Sequence, residues 1–446
     1  VLDIAGLLGR FFHRLKIKGN NKIMSINTKT LGELCDQGGG FVRTGPFGTQ
    51  LHESDYSEFG TPVIMPKDII GCKVSEQHIA RINDYHTERL KEHKLLVGDI
   101  VYGRRGDIGR QALISEKETG WLCGTGCLRI TLGKKSELDS TFLHYFLRDE
   151  KVIASISKQA VGATMPNLNT RILKNINIVY PEKITQQKIA SILSAYDDLI
   201  ENNTRRIQIL EEIARRIYEE WFVHFRFPNH ENIKLIDSEL GLIPEGWKIS
   251  TVEDTFSILG GGTPSKNISE YWENGTINWY SPTDLTRNKM AFIDESSLKI
   301  TPLGLTKSSA RLFPAFSVML TSRATIGVVA INTSEASTNQ GFIICIPNEK
   351  FPLYVLFHWL KYNVEMFINL SSGATFKEIS KGTFKQIAVL IAPSTITSTF
   401  QDMIDPIMKN LLNLQRKNEI LKQTRDLLLP KLISGEIDVS EFPDAS

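Results

Sequence analysis

No stretch of about 18 residues in this sequence is both apolar and free of charge, which excludes a simple membrane-spanning helix. Cysteine is scarce: Cys35, Cys72, Cys123, Cys127 and Cys345 are odd in number and scattered, which argues against a disulfide framework and suits a reducing compartment. Neither sign of charge dominates, since 52 Lys plus Arg oppose 50 Asp plus Glu for a net +2, so bulk charge gives no argument for a nucleic-acid partner. Enzymatic signatures are missing too. There is no G-x-x-x-x-G-K-[ST] phosphate loop, no G-x-S-x-G elbow, no H-E-x-x-H helix, and no Asn-Pro-Pro-aromatic tetrapeptide of the kind amino-methyltransferases carry. The expectation is a cytoplasmic binding protein without a membrane partner or a catalytic site of its own.

What is present is enough apolar material, 41% of 446 residues, for two or three packed domains. Residues 1–24 stand apart as a basic extension, with Arg10, Arg14, Lys16, Lys18 and Lys22 against one acid, Asp3. The charges follow a short apolar run instead of preceding a long one, which argues against a secretory signal. Turn-and-strand patterning begins just after Met24, the expected natural start, and the chain beyond it is slightly acidic.

Shifting the sequence by a little over 200 residues brings it into line with itself. Thr30-Leu31 and Gly39-Gly40 meet Thr251-Val252 and Gly260-Gly261. VYGRRGDIG at Val101–Gly109 meets MLTSRATIG at Met319–Gly327, and Gly162-Ala163-Thr164 meets Gly373-Ala374-Thr375. Each repeat ends in an apolar strand, a proline (Pro181, Pro393) and a long helical pattern. A unit of this length is a duplicated domain plus helix, giving an internal pseudo-twofold repeat. Short Val/Ile/Tyr-rich runs predict strands at Thr61–Met65, Ile100–Tyr102, Val318–Leu320 and Phe342–Ile346, and longer patterns predict helices at Thr141–Ser157 and Leu353–Leu370. The fold class is therefore α+β.

The long helices carry heptad seams. In the first, Ile189, Leu193, Tyr196, Ile200, Asn203, Ile207, Leu210, Ala214, Ile217 and Trp221 alternate four and three residues apart. In the second, Phe400, Ile404, Ile407, Leu411, Leu414, Asn418, Leu421, Arg425, Leu428 and Leu432 repeat that spacing. Two helices each packed on its own domain would also show amphipathic stripes, but seams this long favour mutual packing. Antiparallel pairing with full overlap sets Asn203 opposite Asn418, a polar layer suited to fixing register. The first seam spans roughly 48 Å at about 1.5 Å per residue, longer than the ~34 Å turn of B-DNA. The expected layout is an extension at 1–24, a domain at 25–183, a long helix at 184–228, a second domain at 229–394, a second long helix at 395–433 and a tail at 434–446.

Local basic clusters suggest where a polyanion would be met. Arg104 and Arg105 sit in a glycine-flanked loop after a strand, and Arg323 holds the equivalent place in the second repeat; such loops suit guanine edges or phosphates, and equally a solvated turn. Lys158, Thr164, Asn167, Asn169 and Arg171 surround the first Gly-Ala-Thr, and Thr375, Lys377 and Lys381 the second, a pattern that also fits a plain helix-to-strand connection. Further turn-borne candidates are Arg43, Gln50 and Lys67, with Lys266, Tyr280 and Lys289 in the second domain. The runs Gly38–Gly40 and Gly260–Gly262 lack the strand-to-helix context of a cofactor loop and read as tight turns. Cys123 and Cys127 with His144 fall short of a four-ligand zinc set and read as buried thiols, so no metal site is expected.

Several segments together resemble the specificity subunits of type I restriction-modification enzymes, over about residues 25–440. They are FVRTGPFGTQLHESDY at Phe41–Tyr56, GTPVI at Gly60–Ile64, QQKIASIL at Gln186–Leu193, IPEGW at Ile243–Trp247, GGTPSK at Gly261–Lys266 and LLPKLISGEI at Leu428–Ile437. The resemblance implies two target recognition domains, each reading half of a bipartite target in double-stranded DNA, with antiparallel helices setting the gap. It further implies docking of two modification subunits, which bind S-adenosylmethionine and methylate adenine, and of two restriction subunits that use ATP and Mg. No cofactor is expected on this chain, and the cell is expected to be prokaryotic. The extension before Met24 is atypical of the family, and Ser398-Thr399 stands where its second helix carries a glutamine pair. A stand-alone bivalent DNA-binding protein and a protein-protein scaffold are the readings from other classes. Against the former, unaided affinity rests on phosphate contacts that a near-neutral chain supplies poorly.

Overall fold

The fold is described from a computed structural model, over residues 26–160, 167–373 and 377–442. The expected extension at 1–24 lies outside the described residues. The chain forms two compact units, one of residues 1–200 with 420–446, the other of residues 201–419.

In the first unit a four-stranded antiparallel sheet orders Phe41–Thr44, Cys127–Thr131, Ile100–Gly103 and Gln111–Leu113. A second, mixed sheet orders Leu122–Cys123, Thr61–Ile64, Ala80–Ile82 and Tyr56–Ser57. Asn27–Thr30 pairs with Asn177–Tyr180, the strand that leads into the central helix. The second unit repeats the plan. Five strands order Ser257–Gly260, Phe342–Ile346, Val318–Thr321, Val329–Asn332 and Phe292–Ile293, beside a three-stranded sheet of Leu298–Ile300, Ile277–Tyr280 and Ala336–Thr338. Lys248–Thr251 pairs with Ala388–Ile391 ahead of the C-terminal helix, as the terminal strands do in the first unit.

The repeat read from sequence has a local physical basis. Thr30 and Thr251 both cap helices, Leu31–Gly38 and Val252–Thr255, their hydroxyls accepting from the Glu33 and Asp254 amides. Gly109 and Gly327 both take positive φ, +105° and +95°, and a Cβ there would press on Ile153 of the helix Glu150–Gln159 or on Val364 of the helix Val364–Asn369, respectively. The two medium helices are each broken, contrary to expectation. Asp149 accepts from the Lys151 and Val152 amides and starts a new helix at Glu150–Gln159 after Ser140–Phe146. Asn363 divides Leu353–Tyr362 from Val364–Asn369.

The central helix runs Lys183–Tyr218 and continues as a π turn, Glu219–Val223; the C-terminal helix runs Ser394–Ile433. None of the twenty seam positions is exposed. In the first unit Ile189, Leu193 and Tyr196 share a core with Leu428 and Leu432. In the second, Ala214, Tyr218 and Trp221 share one with Phe400, Ile404 and Leu411. Pairing is antiparallel: as the number rises from Lys188 to Asp197 its partner falls from Ser440 to Arg425, and from Asn203 to Tyr218 it falls from Asn418 to Phe400. Asn203 Nδ2 donates to Asn418 Oδ1 at 2.9 Å with both residues buried, and Asn418 Nδ2 donates to Thr204.

Arg425 occupies an apolar slot of the seam because it has a partner. Asp197 takes the guanidinium groups of Arg425 and of Arg148, the latter at 2.6 Å, and accepts from Tyr145 Oη at 2.7 Å. Burial pushes the Asp197 carboxyl up, but the hydrogen bonds and charges of Arg148, Tyr145 and Arg425 outweigh it and hold the carboxyl at about 2. An acid whose pKa is depressed in the folded state contributes its stability above its ordinary range of ~3.9 and loses it as pH falls toward the folded value. Acid unfolding of the intact chain is therefore expected to show a loss of about 2 kcal/mol from this group between roughly pH 5 and 2. Asp197→Asn strands two arginines and should lower stability at neutral pH by about 3–5 kcal/mol, with a flatter acid limb. Denaturant melts across pH that are identical for the two proteins would contradict this assignment.

Candidate nucleic-acid interface

In each unit the strand from the middle of the main sheet runs into a short loop, and that loop is tied to a second segment far away in sequence. In the first unit the Arg104 amide donates to the Gly126 carbonyl and the Leu168 amide to the Arg104 carbonyl, while Arg105 and Asn167 form a backbone bridge. In the second, the Ser322 amide donates to Gly341, the Ile379 amide to the Ser322 carbonyl, and Arg323 bridges Glu378. The two loops chosen separately in sequence thus meet twice, by the same bonds. Thr164 and Thr375 lie outside the described residues.

The paired arginines have different roles. Arg104 is half-buried, and its Nε donates to Asn167 Oδ1 at 3.1 Å and to the Leu168 carbonyl at 2.8 Å, so it braces the loop pair. Arg105 is exposed at the tip beside it. Arg323 is exposed as well and lies 3.6 Å from the Glu378 carboxylate, a screened pairing worth little in water and easily exchanged for a phosphate. Asn169 is spent on structure: it caps Thr170–Lys174, accepting from the Ile172 amide. Lys158 is exposed in the last turn of Glu150–Gln159, and Lys377 is exposed with its carbonyl accepting from the Ala324 amide.

Lys67 is exposed in the turn Pro66–Asp68, and Pro66 packs against Gly126 and Gly103 at the root of the arginine loop. Arg43 is exposed, paired with Glu92 at 2.9 Å and stacked on Phe41; Gln50 accepts from the Phe47 amide and shapes its own turn. Lys266 and Lys289 are exposed, the latter ending the helix Pro282–Asn288 with φ of 47°. Lys381 lays its ammonium across Gly260, where any Cβ would collide with Nζ. Tyr280 is a correction: it is fully buried with its hydroxyl turned to the Ile293 carbonyl, because the strand Ile277–Tyr280 points it into the core. Arg110 was missed. It is exposed beside Pro66 and paired with Asp107, and its position directly after the Ile-Gly pair was the available signal.

Cys123 and Cys127 are buried in the sheets, and burial pushes the Cys123 thiol up to about 12. His144 is likewise buried and held neutral by desolvation, at about 3. Among the described residues no His, Cys, Asp or Glu cluster could hold a metal ion, and no helix is long and apolar enough to cross a membrane. The site's chemistry is that of exposed guanidinium and ammonium groups on rigidly tied loops, suited to phosphates and base edges.

The family model described as "Type I restriction modification DNA specificity domain" matches this chain twice, over residues 26–212 and 244–423. The MjaIX specificity subunit of a type I restriction enzyme from Methanocaldococcus jannaschii is 28% identical over 393 residues, covering 85% of this chain and 88% of that one. The HindI specificity subunit from Haemophilus influenzae is 24% identical over 430 residues, covering 83% and 93%. The crystal structure of the S subunit of a type I restriction-modification system from M. genitalium shares the fold, with a TM-score of 0.57 at 19% identity over 97% of this chain and 99% of that one.

Proposed function

This chain belongs to the specificity subunits of type I restriction-modification systems, and we propose that it reads an asymmetric, two-part DNA sequence with residues 25–183 on one half and 229–394 on the other. As a specificity subunit it is a non-catalytic chain that works with DNA and with modification and restriction subunits; S-adenosylmethionine, ATP and Mg belong to those partners. The subunits join it as two modification and two restriction chains, in the cytoplasm of a prokaryotic cell.

One observation carries this reading: the same loop pair is built in both units, and the half-buried side chains beside its exposed arginine differ. Arg105 stands beside Asn167, whereas Arg323 stands beside Glu378. A scaffold common to both units with different tips supports reading two different half-sites, since base edges are discriminated by the donors and acceptors set against them. Arg43, Lys67, Lys158, Lys266, Lys289, Lys377 and Lys381 serve the phosphates, Arg105 and Arg323 the bases or adjacent phosphates, and Asn203 with Asn418 fixes the helix register.

The direct test co-expresses the chain with its modification subunit and maps N6-methyladenine across the host genome. Methylation at one asymmetric, two-part motif that vanishes without this chain is the expected result. An active, folded methyltransferase whose pattern ignores this chain would overturn it.

Arg105→Ala and Arg323→Ala should each weaken specific binding by the assembled complex by about 1–3 kcal/mol if the residue reads a base. Titration of labelled target duplex checks this, and unchanged affinity in both variants removes these loops from the interface. Deleting one heptad from each long helix at facing positions should shorten the preferred gap between half-sites and leave the half-sites alone. A changed half-site sequence in the methylation map would contradict a spacing role for the helices.

A further inference from the structure

The duplication leaves one place filled in the first unit and open in the second. In the first unit it holds Asp197 on the central helix, Arg425 on the C-terminal helix and Arg148 just after the helix Ser140–Phe146. In the second repeat the counterparts are Met408, Ala214 and Tyr362, aligned through the helix seams and through the buried histidines His144 and His358. Neither arginine has a replacement, and the space is a cleft of about 380 Å³ lined by Glu211, Tyr218, His358, Lys361, Tyr362 and Met408 among others.

The polar groups in this cleft are not balanced. Glu212 and Glu219, which also line it, are both taken by Arg215. Lys361 holds its ammonium 5.3 Å from the centre of the Phe357 ring. Glu211 has neither a hydrogen bond nor an ion pair among the described residues, and burial pushes its carboxyl up. His358 is 4% exposed, stacks on Tyr218 at 5.6 Å, and its Nε2 has no partner. Desolvation keeps the imidazole neutral, at about 3, so it does not repel a cation.

A half-buried carboxylate and a buried imidazole nitrogen that both lack a partner, with aromatic walls from Tyr218 and Tyr362, match a planar cation that donates several hydrogen bonds and stacks on rings. The first unit uses such groups in the same place, with Arg148 4.9 Å from the centre of the Tyr145 ring and bonded to Asp197. We propose that the cleft between Glu211 and His358 is a binding site for a guanidinium group on an apolar stem, supplied from outside this chain. The group is an arginine side chain of a partner subunit or a free guanidino compound. The site does not depend on which DNA sequence the protein reads.

Calorimetric titration of the full chain with agmatine and with N-acetyl-arginine amide tests this. One site is expected for each, weakened at least tenfold by Glu211→Gln and tightened severalfold by Lys361→Met, which removes the competing ammonium. Lys361 is exposed, so its variant keeps the test open if Glu211→Gln fails to fold. Repeating the titration on the chain assembled with its modification subunits separates the sources. Loss of binding identifies a partner's arginine, and retained binding a free guanidino ligand. No binding by the unmodified chain, or equal affinity in the unmodified chain and every folded variant, overturns the proposal.

Discussion

The first globular part does not close its hydrophobic core with one continuous stretch of sequence. The first unit needs Leu428, Leu429 and Leu432 from the far end of the chain to cover Ile189, Leu193 and Tyr196. The second, continuous over residues 201–419, sets Ala214, Tyr218 and Trp221 of the central helix against Phe400, Ile404 and Met408 of the C-terminal helix. Each fully buried side chain of this size contributes about 1.5–3 kcal/mol. In each unit a segment of one long helix is therefore packed against a segment of the other as part of the core.

That constraint explains where polar residues are tolerated in the seam. Asn203 and Asn418 are buried but bonded to each other, and Arg425 is half-buried and bonded to Asp197, so neither layer leaves a polar group stranded. Such layers are less stable than leucine but specific, since a slip of register would separate every partner at once. The cleft beside Glu211 is the exception, a place where Tyr362 and Ala214 stand at the positions that Arg148 and Arg425 hold in the first copy.

Although the net charge is only +2, the cations are unevenly engaged. Arg105, Arg323, Lys67 and Lys377 are carried on loops or short turns beside the ends of sheet strands and Lys381 opens the helix Lys381–Lys385, while other cations are engaged by carboxylates such as Glu212 and Asp294.

Period and repetition carry the parts of this protein that the sequence by itself determined. The duplication, the two seams, the strands at Thr61–Ile64, Ile100–Gly103, Val318–Thr321 and Phe342–Ile346, and the repeated loops, though not their pairing, were legible because each depends on local spacing or on a segment occurring twice. What only the tertiary structure decided is which side chains are free to act. Tyr280 lies in a strand whose pleat turns it inward, Asn169 is used up as a cap, and Arg104 is drawn back to Asn167 while its neighbour stays in solvent. The break at Asp149 and the grouping of Asp197 with Tyr145, Arg148 and Arg425 follow the same rule. Their physical cause is the meeting of groups that lie from three to more than two hundred residues apart, a distance over which periodicity in one chain carries no information about who the partner will be.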